Sequence, residues 1–383
     1  MKRALFPLGG AALAVGLLAT CLAGTAQAAD VWADDPMTAA GADALAVVDF
    51  WASAGNAALV RAVPVDGEWN APAMTPGGDY TPDGAPGTVA GAHEVGYVPD
   101  TGGTTQTRLP RTIGKVFFLD HEGRERWCSA TSVHSAHRNV VSTAAHCVHN
   151  PAAGGQVMGK WVFVPGYYQG KAPWGIYVGK QAWTHRDFDT VKDHDRDYAF
   201  VNVHNGVRLT GTAQATQAEY DAHTGSKWIQ NGRYHIAAAQ DTGRLGDAVG
   251  GQGLAWNQQD VDRTIYAFAY PAGPNPDGSR PYTGVTPKWS YGRVSRNAYT
   301  SPARGIQEHM TLKSGFTPGA DGGPFLERYS NAERLGYVNG VVSVFADQDR
   351  NGRYDLITSA YFDGETAAVY QKAAEVSSGP VTG

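Results

Sequence analysis

Three things are scarce in this chain: cysteine, net charge and long apolar runs. Lys and Arg total 31 against 36 Asp and Glu, a formal charge of -5 over 383 residues. That balance offers no cationic surface for nucleic acid or for an anionic membrane, so we expect neither partner. The chain also lacks a sustained βαβ alternation and a fixed-period repeat, which argues against a parallel α/β sheet and against a solenoid.

One long apolar run does occur, at the N-terminus. Lys2 and Arg3 precede apolar residues over 4–22, and the small residues at 26–28 (Ala-Gln-Ala) suit signal peptidase. We predict that residues 1–28 are a signal peptide and that the mature protein is secreted and extracellular. No other stretch is long and apolar enough to span a bilayer, so no membrane association is expected once the signal is removed.

Cysteine is rare, with 3 in the whole chain. Cys21 lies within the predicted signal peptide, so the mature chain keeps Cys128 and Cys147. Two cysteines in an oxidising compartment should pair, because free thiols persist mainly in the reducing cytoplasm. We therefore predict one disulfide between these two residues.

The region 29–111 differs in texture from the rest of the chain. Apolar spacing over 44–62 predicts an amphipathic helix. The stretch 70–107 is rich in Pro, Gly, Thr and Asp with little apolar periodicity, which is typical of a linker or a loosely packed arm. The region is either a propeptide that is cut near Arg108 and Arg111 or an uncut N-terminal extension.

From residue 113 onward, short apolar runs alternate with turn residues. Ile113–Phe118 and Tyr198–Val203 are typical runs, and Asn275–Gly278 (Asn-Pro-Asp-Gly) is a typical turn. This pattern predicts an all-β fold, either a sandwich or a pair of barrels. A short helix near 365–374 is expected to close the chain.

A histidine and an aspartate lie where catalytic residues are common. His146 is set in Thr-Ala-Ala-His-Cys, a small-residue turn directly after a strand. Asp197 directly precedes an apolar strand, whereas Asp193 and Asp195 fit a solvated acidic turn. Hydrolysis by a hydroxyl needs a neutral imidazole to take the proton and a buried carboxylate to orient that imidazole. We expect His146 and Asp197 to form this pair.

A glycine-rich stretch supplies the third motif. Residues 319–324 read Gly-Ala-Asp-Gly-Gly-Pro, the frame of a nucleophile loop with Asp321 at its centre. Together with the motif around His146, this stretch makes the region from 113 to about 374 resemble the chymotrypsin-like serine peptidases, especially their secreted bacterial branch with few disulfides. The order histidine, aspartate, nucleophile loop is that of the family.

The resemblance implies an all-β domain over 112–383 built from two antiparallel β-barrels, the first over about 113–215 and the second over about 225–375. The active-site cleft would lie between the barrels, and the disulfide would brace the histidine loop. The site residues that it implies are His146 as general base, Asp197 as the acid that orients it, Gly319 as an oxyanion-hole donor, Ser343, Val344 and Phe345 on the substrate-binding strand, and Gly315 at the base of the primary pocket.

Three positions bear on specificity within that resemblance. Gly315 offers nothing that attracts Lys or Arg, and Val342 stands where Glu-selective relatives carry a histidine. Phe345 occupies a position where many members keep a glycine for substrate access. We therefore expect its ring to narrow or block the primary pocket.

The main departure from the family is Asp321, which stands where the family has its serine. Ser314 and Thr317 precede the loop and are not expected to reach His146. Carboxylate nucleophiles attack sugars and phosphoryl groups, not ordinary amides. Between two anions His146 would be held as imidazolium, or the carboxylate would fold towards the N–H groups of Gly319 and Asp321, and either arrangement removes catalysis.

These features predict a secreted, monomeric homologue of serine endopeptidases that binds a peptide or protein segment in its cleft without hydrolysing it. Two alternatives remain: an active endopeptidase with another nucleophile, and a calcium-stabilised structural module. The chemistry requires no cofactor.

A possible calcium loop follows the substrate-binding strand. Oxygen ligands would stand at its first, third, fifth and ninth positions, namely Asp347, Asp349, Asn351 and Asp355. Gly352 falls at the sixth position as such loops require, but Thr358 replaces the bidentate Glu of the twelfth. The pattern predicts either a weak structural calcium site or a polar turn between two strands.

Overall fold

Strands dominate because runs rich in valine, isoleucine and aromatic residues alternate with turns rich in glycine, proline and asparagine. The computed structural model describes residues 31–65, 73–98, 109–150, 155–259 and 263–381. The predicted signal peptide, residues 1–28, lies outside this part of the chain. No helix in the described residues has the length and apolarity needed to cross a membrane.

The strands are numbered in chain order: β1 (Trp32–Pro36), β2 (Val63–Pro64), β3 (Thr75–Pro76), β4 (Gly87–Val89), β5 (Ile113–Leu119), β6 (Glu125–Val133), β7 (Val140–Thr143), β8 (His149–Asn150), β9 (Gln156–Val157), β10 (Gly159–Pro165), β11 (Tyr177–His185), β12 (Ala199–Val203), β13 (Gly206–Ala215), β14 (Ser226–Gln230), β15 (Arg233–Gly243), β16 (Gly253–Trp256), β17 (Thr264–Ala269), β18 (Lys288–Arg293), β19 (Tyr299–Ser301), β20 (Ile306–Lys313), β21 (Pro324–Ser330), β22 (Leu335–Val341), β23 (Phe345–Ala346) and β24 (Leu356–Ala360). The α-helices are α1 (Ala42–Arg61), α2 (Arg186–Val191), α3 (Gln217–Ala222), α4 (Leu245–Val249) and α5 (Gly364–Glu375), and short 3-10 turns lie at Ala145–Cys147, His194–Arg196 and Pro302–Arg304.

The first half of the domain is a closed barrel. Its six antiparallel strands follow the order β11-β10-β5-β6-β7-β12, and β12 pairs with β11 to close the ring. Closure removes exposed strand edges, which is one way in which all-β domains avoid association through those edges. The predicted disulfide is present, and it links Cys128 of β6 to Cys147 just after β7.

The second half consists of two curved sheets that share one hydrophobic cluster. One sheet has the order β18-β17-β21-β22-β16-β4 and the other the order β23-β24-β20-β19-β3. Met310 and Leu312 of β20 and Phe325 of β21 are fully buried in the cluster between them. The predicted mostly β fold is therefore confirmed, and the short closing helix is α5.

A three-stranded sheet, ordered β13-β15-β14, separates the two halves along the chain. It was not foreseen, and the boundary expected between the barrels, at about 215–225, falls inside it. The sequence did not predict this sheet because β13 and β15 are largely exposed and carry no continuous apolar face.

The described part of the N-terminal region packs on both halves. Strand β1 pairs with β11, and α1 buries Val48, Trp51 and Leu59 in the main core. The helix predicted over 44–62 is therefore present as α1, although it is broken by non-helical residues at 53–56.

The stretch from 73 to 98 differs from the loosely packed arm expected there, since β3 pairs with β19 and β4 pairs with β16. These pairings tie the N-terminal region to both sheets of the second half. Whether the region is cut from the rest of the chain stays a prediction.

Candidate active site

His146 lies in the 3-10 turn that follows β7. The residue is buried, as is the whole turn. The disulfide of the neighbouring Cys147 ties the turn to β6, so the imidazole is held by the covalent frame as well as by packing. The small residues Ala144 and Ala145 allow this tight turn to sit inside the core.

Asp197 stands at the end of the His194–Arg196 turn and accepts three hydrogen bonds. Its Oδ1 accepts the His146 backbone N–H at 3.0 Å, and its Oδ2 lies 2.8 Å from His146 Nδ1. The Ser343 hydroxyl donates to the same Oδ2 at 2.5 Å. Burial alone would raise the pKa of Asp197, but the charge of His146 and these hydrogen bonds hold it below its usual range. Asp197 is thus an anion that fixes the ring.

The other two acids of this turn are not the solvated side chains that the sequence suggested. Asp195 is mostly buried, and its two carboxylate oxygens accept the backbone N–H groups of Gln307 and Glu308 at 2.8 and 2.9 Å. Asp193 accepts the Asp195 N–H and caps the turn. Asp195 therefore joins the first barrel to β20, an interaction that only the folded chain reveals.

The loop at 319–323 is anchored to the first barrel by Ser129. The Ser129 hydroxyl donates to the Gly319 carbonyl at 2.7 Å, and the Ser129 N–H donates to the Asp321 carbonyl at 2.8 Å. Gly319 has φ +97°, and a Cβ placed there would lie 2.6 Å from the ring of Trp127. Glycine is required at this position both by the backbone conformation and by the close approach of the indole.

Asp321 is buried, and its carboxylate has two partners. Oδ2 accepts the Gly319 N–H at 2.7 Å, and Oδ1 lies 3.3 Å from His146 Nε2. The two arrangements that the sequence allowed, a carboxylate against the imidazole and a carboxylate folded back onto the loop N–H, therefore occur together. The Asp321 carboxylate therefore contacts both the imidazole of His146 and the N–H of Gly319.

The two carboxylates keep the imidazole protonated. Burial by itself would lower the pKa of His146, but Asp197 and then Asp321 raise it to about 9. At neutral pH the ring therefore carries a proton on each nitrogen. A protonated imidazole cannot take a proton from a nucleophile.

The substrate-strand residues lie beside this site with side chains that are fully buried. The Ser343 N–H donates to the Thr358 carbonyl, and the Val344 carbonyl accepts the Thr358 N–H, so this strand is paired to β24. Phe345 packs in one cluster with Val342, and its ring lies 5.6 Å from that of Tyr354. The block of the primary pocket by Phe345 stays a prediction.

The remaining predicted positions lie further out. Gly315 is exposed and borders a cavity of about 440 Å³ that Tyr282 and Tyr354 also line. The Ser314 hydroxyl accepts the N–H of Phe316, and Thr317 is fully buried. The Ser343 hydroxyl donates to Asp197, on the side of the ring away from Asp321.

The N-terminal region reaches the site, which sequence reasoning missed. Strand β2 pairs in parallel with β6, and the Val65 N–H donates to the Trp127 carbonyl at 3.1 Å. Val65 and His146 border the same cavity of about 130 Å³. A two-residue parallel strand leaves no periodic signal in the sequence, so only the fold reveals it.

The candidate calcium loop folds onto itself. The Asp347 carboxylate accepts the N–H groups of Asn351 and Gly352, and Asp349 also accepts the Asn351 N–H. The twelfth position cannot supply a ligand readily, because the Thr358 hydroxyl is bonded to His309 in the core. Among the described residues, the carboxylates of this loop are not gathered within 4.8 Å of one another. The fit to calcium is therefore limited to the oxygen-rich face of the turn.

Comparison with known structures gives neighbours that cover about two thirds of this chain. A thermostable serine protease from an extremophilic microorganism shares 22% sequence identity with a TM-score of 0.51, over 69% of this chain and 97% of that one. The protease Anisep from Arthrobacter nicotinovorans shares 23% identity with a TM-score of 0.51, over 71% of this chain and 99% of that one.

At such identities the likeness establishes the fold: this chain has the fold of the chymotrypsin-like serine proteases. No protein-family model matches the chain, and no curated protein sequence matches it.

Proposed function

We propose that this protein is a secreted homologue of serine endopeptidases that binds a peptide or protein segment and does not hydrolyse it. The observation that carries the proposal is the position of the Asp321 carboxylate. It lies where an attacking hydroxyl and an oxyanion would both have to be, 3.3 Å from His146 Nε2 and 2.7 Å from the Gly319 N–H. Both sites of chemistry are filled by one side chain.

The charge at the site supports the same conclusion. With the pKa of His146 raised to about 9, the ring is an imidazolium over the physiological range and has no free lone pair. Asp321 is itself a poor nucleophile towards amides. An active endopeptidase would need a hydroxyl on the Nε2 side of the ring, and Ser343 lies on the other side, with Asp197.

The binding role is supported by the edge of β6. Among the described residues, strand β7 pairs only with Thr131–Val133 of β6, so the opposite end of β6 has a free edge. The chain's own Val63–Val65 segment lies along it as an added strand that borders the same cavity as His146. Addition of an extended segment to an exposed strand is a common mode of peptide recognition, since the main chain provides the hydrogen bonds. Elsewhere in the N-terminal region, the Gln348 side chain binds both the N–H and the carbonyl of Met74. In both places an extended segment of the chain is bound through its main-chain N–H and carbonyl groups.

The loss of hydrolysis is tested with a fluorophosphonate probe and a mixed peptide library. We expect no labelling and no turnover by the native protein, and labelling of the Asp321→Ser variant. Asp321→Asn is the matched control, because it removes the charge without supplying a hydroxyl. Labelling or turnover by the native protein would overturn the proposal. A silent Asp321→Ser variant would contradict the assignment of the loss to this residue.

The binding role is tested by anisotropy with the same library, labelled with a fluorophore. Val65→Pro removes the N–H that bonds to Trp127, so it should weaken the chain's own added strand and free the edge of β6. We expect peptide affinity to rise by about fivefold, the equivalent of one hydrogen bond. Val65→Ala keeps the N–H and serves as control. The absence of binding to both variants and to the native protein would contradict a peptide-binding function.

A further inference from the structure

Lys115 is a buried amine without an anionic partner. It lies on β5 and is 3% exposed. Its Nζ lies 3.3 Å from the centroid of the Trp127 ring and 4.5 Å from that of Tyr167. Within the described part of the chain, no hydrogen bond or ion pair joins this amine to another group, and burial lowers the pKa of Lys115 well below its ordinary value.

The amine borders a cavity of about 270 Å³ between the N-terminal region and the second half of the domain. Trp127, Tyr167 and Tyr282 form its aromatic walls, and Arg280 lies at its exposed rim. Apolar groups line the other side, namely Leu59, Val60, Ala62, Val63 and Pro64. The lining holds two basic side chains and no carboxylate.

Such a lining favours one kind of ligand. A buried cation is costly without a counter-charge, and an amine surrounded by aromatic rings gains only part of what it loses in water. A carboxylate would restore the missing partner, and the rings would accommodate an apolar or aromatic body. The volume lies just below the range of about 300–1,000 Å³ typical of small-molecule sites, so the ligand must be small.

We propose that this cavity is a binding site for a small monocarboxylate with an apolar or aromatic body, held by Lys115 at its inner end and by Arg280 at its rim. The carboxylate has two sources, a free organic acid or the C-terminal residue of a peptide. The site is separate from the chemistry around Asp321, because none of His146, Asp197, Gly319 and Asp321 lines the cavity.

Isothermal titration of the native protein tests the site with N-acetylphenylalanine and its amide. We expect the free acid to bind about tenfold or more tightly than the amide, as a hydrogen bond to a charged group implies. Because burial lowers the pKa of Lys115 and a bound carboxylate would raise it again, binding of the acid should also take up protons, measured from enthalpies in two buffers at neutral and alkaline pH. Equal binding of acid and amide, or no binding of the acid at millimolar concentration, would overturn the proposal.

Two variants locate the effect. Lys115→Met keeps the length of the side chain, and it should abolish both the preference for the acid and the proton uptake. Arg280→Gln changes an exposed residue at the rim, and it should lower the affinity for N-acetylphenylalanine by about two- to fivefold. Lys313→Gln, an exposed lysine of β20 outside the cavity, is the matched control and should change nothing. Unchanged binding and proton uptake in Lys115→Met would refute the site.

The two sources are separated by a second pair of ligands. A tripeptide ending in phenylalanine, as free acid and as amide, tests the peptide terminus directly. Tighter binding of the tripeptide acid than of N-acetylphenylalanine supports a peptide source, and the reverse supports a free acid. Because peptide binding to β6 is measured with Val65→Pro, failure of that function and failure of this site give different results.

Discussion

Two carboxylates contact the same imidazole from opposite sides, and they do so from different regions of the molecule. Asp197 comes from the first barrel, just before β12, and accepts three donors, with 2.8 Å to His146 Nδ1. Asp321 comes from the loop before β21 and has two partners, with 3.3 Å to His146 Nε2. The first is more completely enclosed by hydrogen bonds than the second.

The difference separates orientation from chemistry. The Asp197 side retains the arrangement that fixes a general base, down to the Ser343 hydroxyl on the carboxylate. On the other side the loop is anchored on Ser129, and the Asp321 carboxylate contacts both the imidazole and the Gly319 N–H. Under the proposed function, the site would keep its scaffold and its Asp197–His146 pair without a reactive hydroxyl.

Deleting each carboxylate tests the comparison most strongly. We expect Asp197→Ala to lower the free energy of unfolding by about 3–5 kcal/mol, because it leaves buried donors and an imidazolium without their main partner. Asp321→Ala should cost about 1–3 kcal/mol, since it strands mainly the Gly319 N–H. Urea denaturation measures both, with the exposed Asp221→Ala as control. Equal costs, or a larger cost for Asp321→Ala, would show that the two sides are not distinct in the way described.

The pH dependence of stability tests the shared imidazolium. Its pKa is about 9 in the folded protein against an ordinary value of 6.5, so the folded state holds the proton more tightly. The resulting stabilisation, about 3 kcal/mol, is fully present below pH 6.5 and is lost as the pH rises through 9. Urea unfolding at pH 6 and pH 10 should show this loss in the native protein and not in His146→Gln. If the free energy of unfolding changed equally with pH in the native protein and in His146→Gln, His146 would not be an imidazolium in the folded state.

The contribution of Asp321 to that proton can be isolated by NMR titration of His146. Asp321→Asn removes one anion and leaves Asp197 in place, so the pKa of His146 should fall by about 1. The resonance is identified by its loss in His146→Gln. An unchanged pKa of His146 in Asp321→Asn would mean that Asp197 alone keeps the imidazole protonated and that the charge of Asp321 contributes nothing.

The smallest change in stability is expected from the aspartates of the calcium loop, because they lie near the surface and contact no histidine among the residues that the structure describes. If Asp347 and Asp349 hold a weak calcium ion, millimolar calcium should stabilise the protein by about 1 kcal/mol and raise Tm by about 1–2 °C. Asp349→Asn should remove the response, while Asp221→Asn should keep it. A Tm unchanged by chelation would leave this turn as a polar connection.

The parts of the site that are local in sequence were predictable. His146 follows a strand within a small-residue turn, Asp197 precedes one, and the glycines around Asp321 mark a tight loop, so short motifs identified all three. The cysteine pair was predictable by counting. Phe345 could be placed beside the site, although its effect on a substrate is still a prediction.

The parts that depend on distant contacts were not. Asp195 looked like a solvated acid because nothing nearby in the chain shows that it bonds to the backbone of β20. The assignment of Ser343 to substrate binding stays a prediction, and the bond of its hydroxyl to Asp197 is an addition that only the fold shows. Lys115 reads as an ordinary strand lysine, and its burial depends on α1 and on aromatic residues far along the chain.

The sequence by itself determined which groups are present: a histidine, an acid before a strand, and a carboxylate in a glycine frame without a serine. Only the tertiary structure decided what these groups do to one another, because the distances of 2.8 and 3.3 Å that join His146 to Asp197 and Asp321 bring together residues from three separate turns and loops. The same holds for the amine of Lys115. A lysine side chain is cationic in water, but the residues that pack around Lys115 in the folded protein lower its pKa.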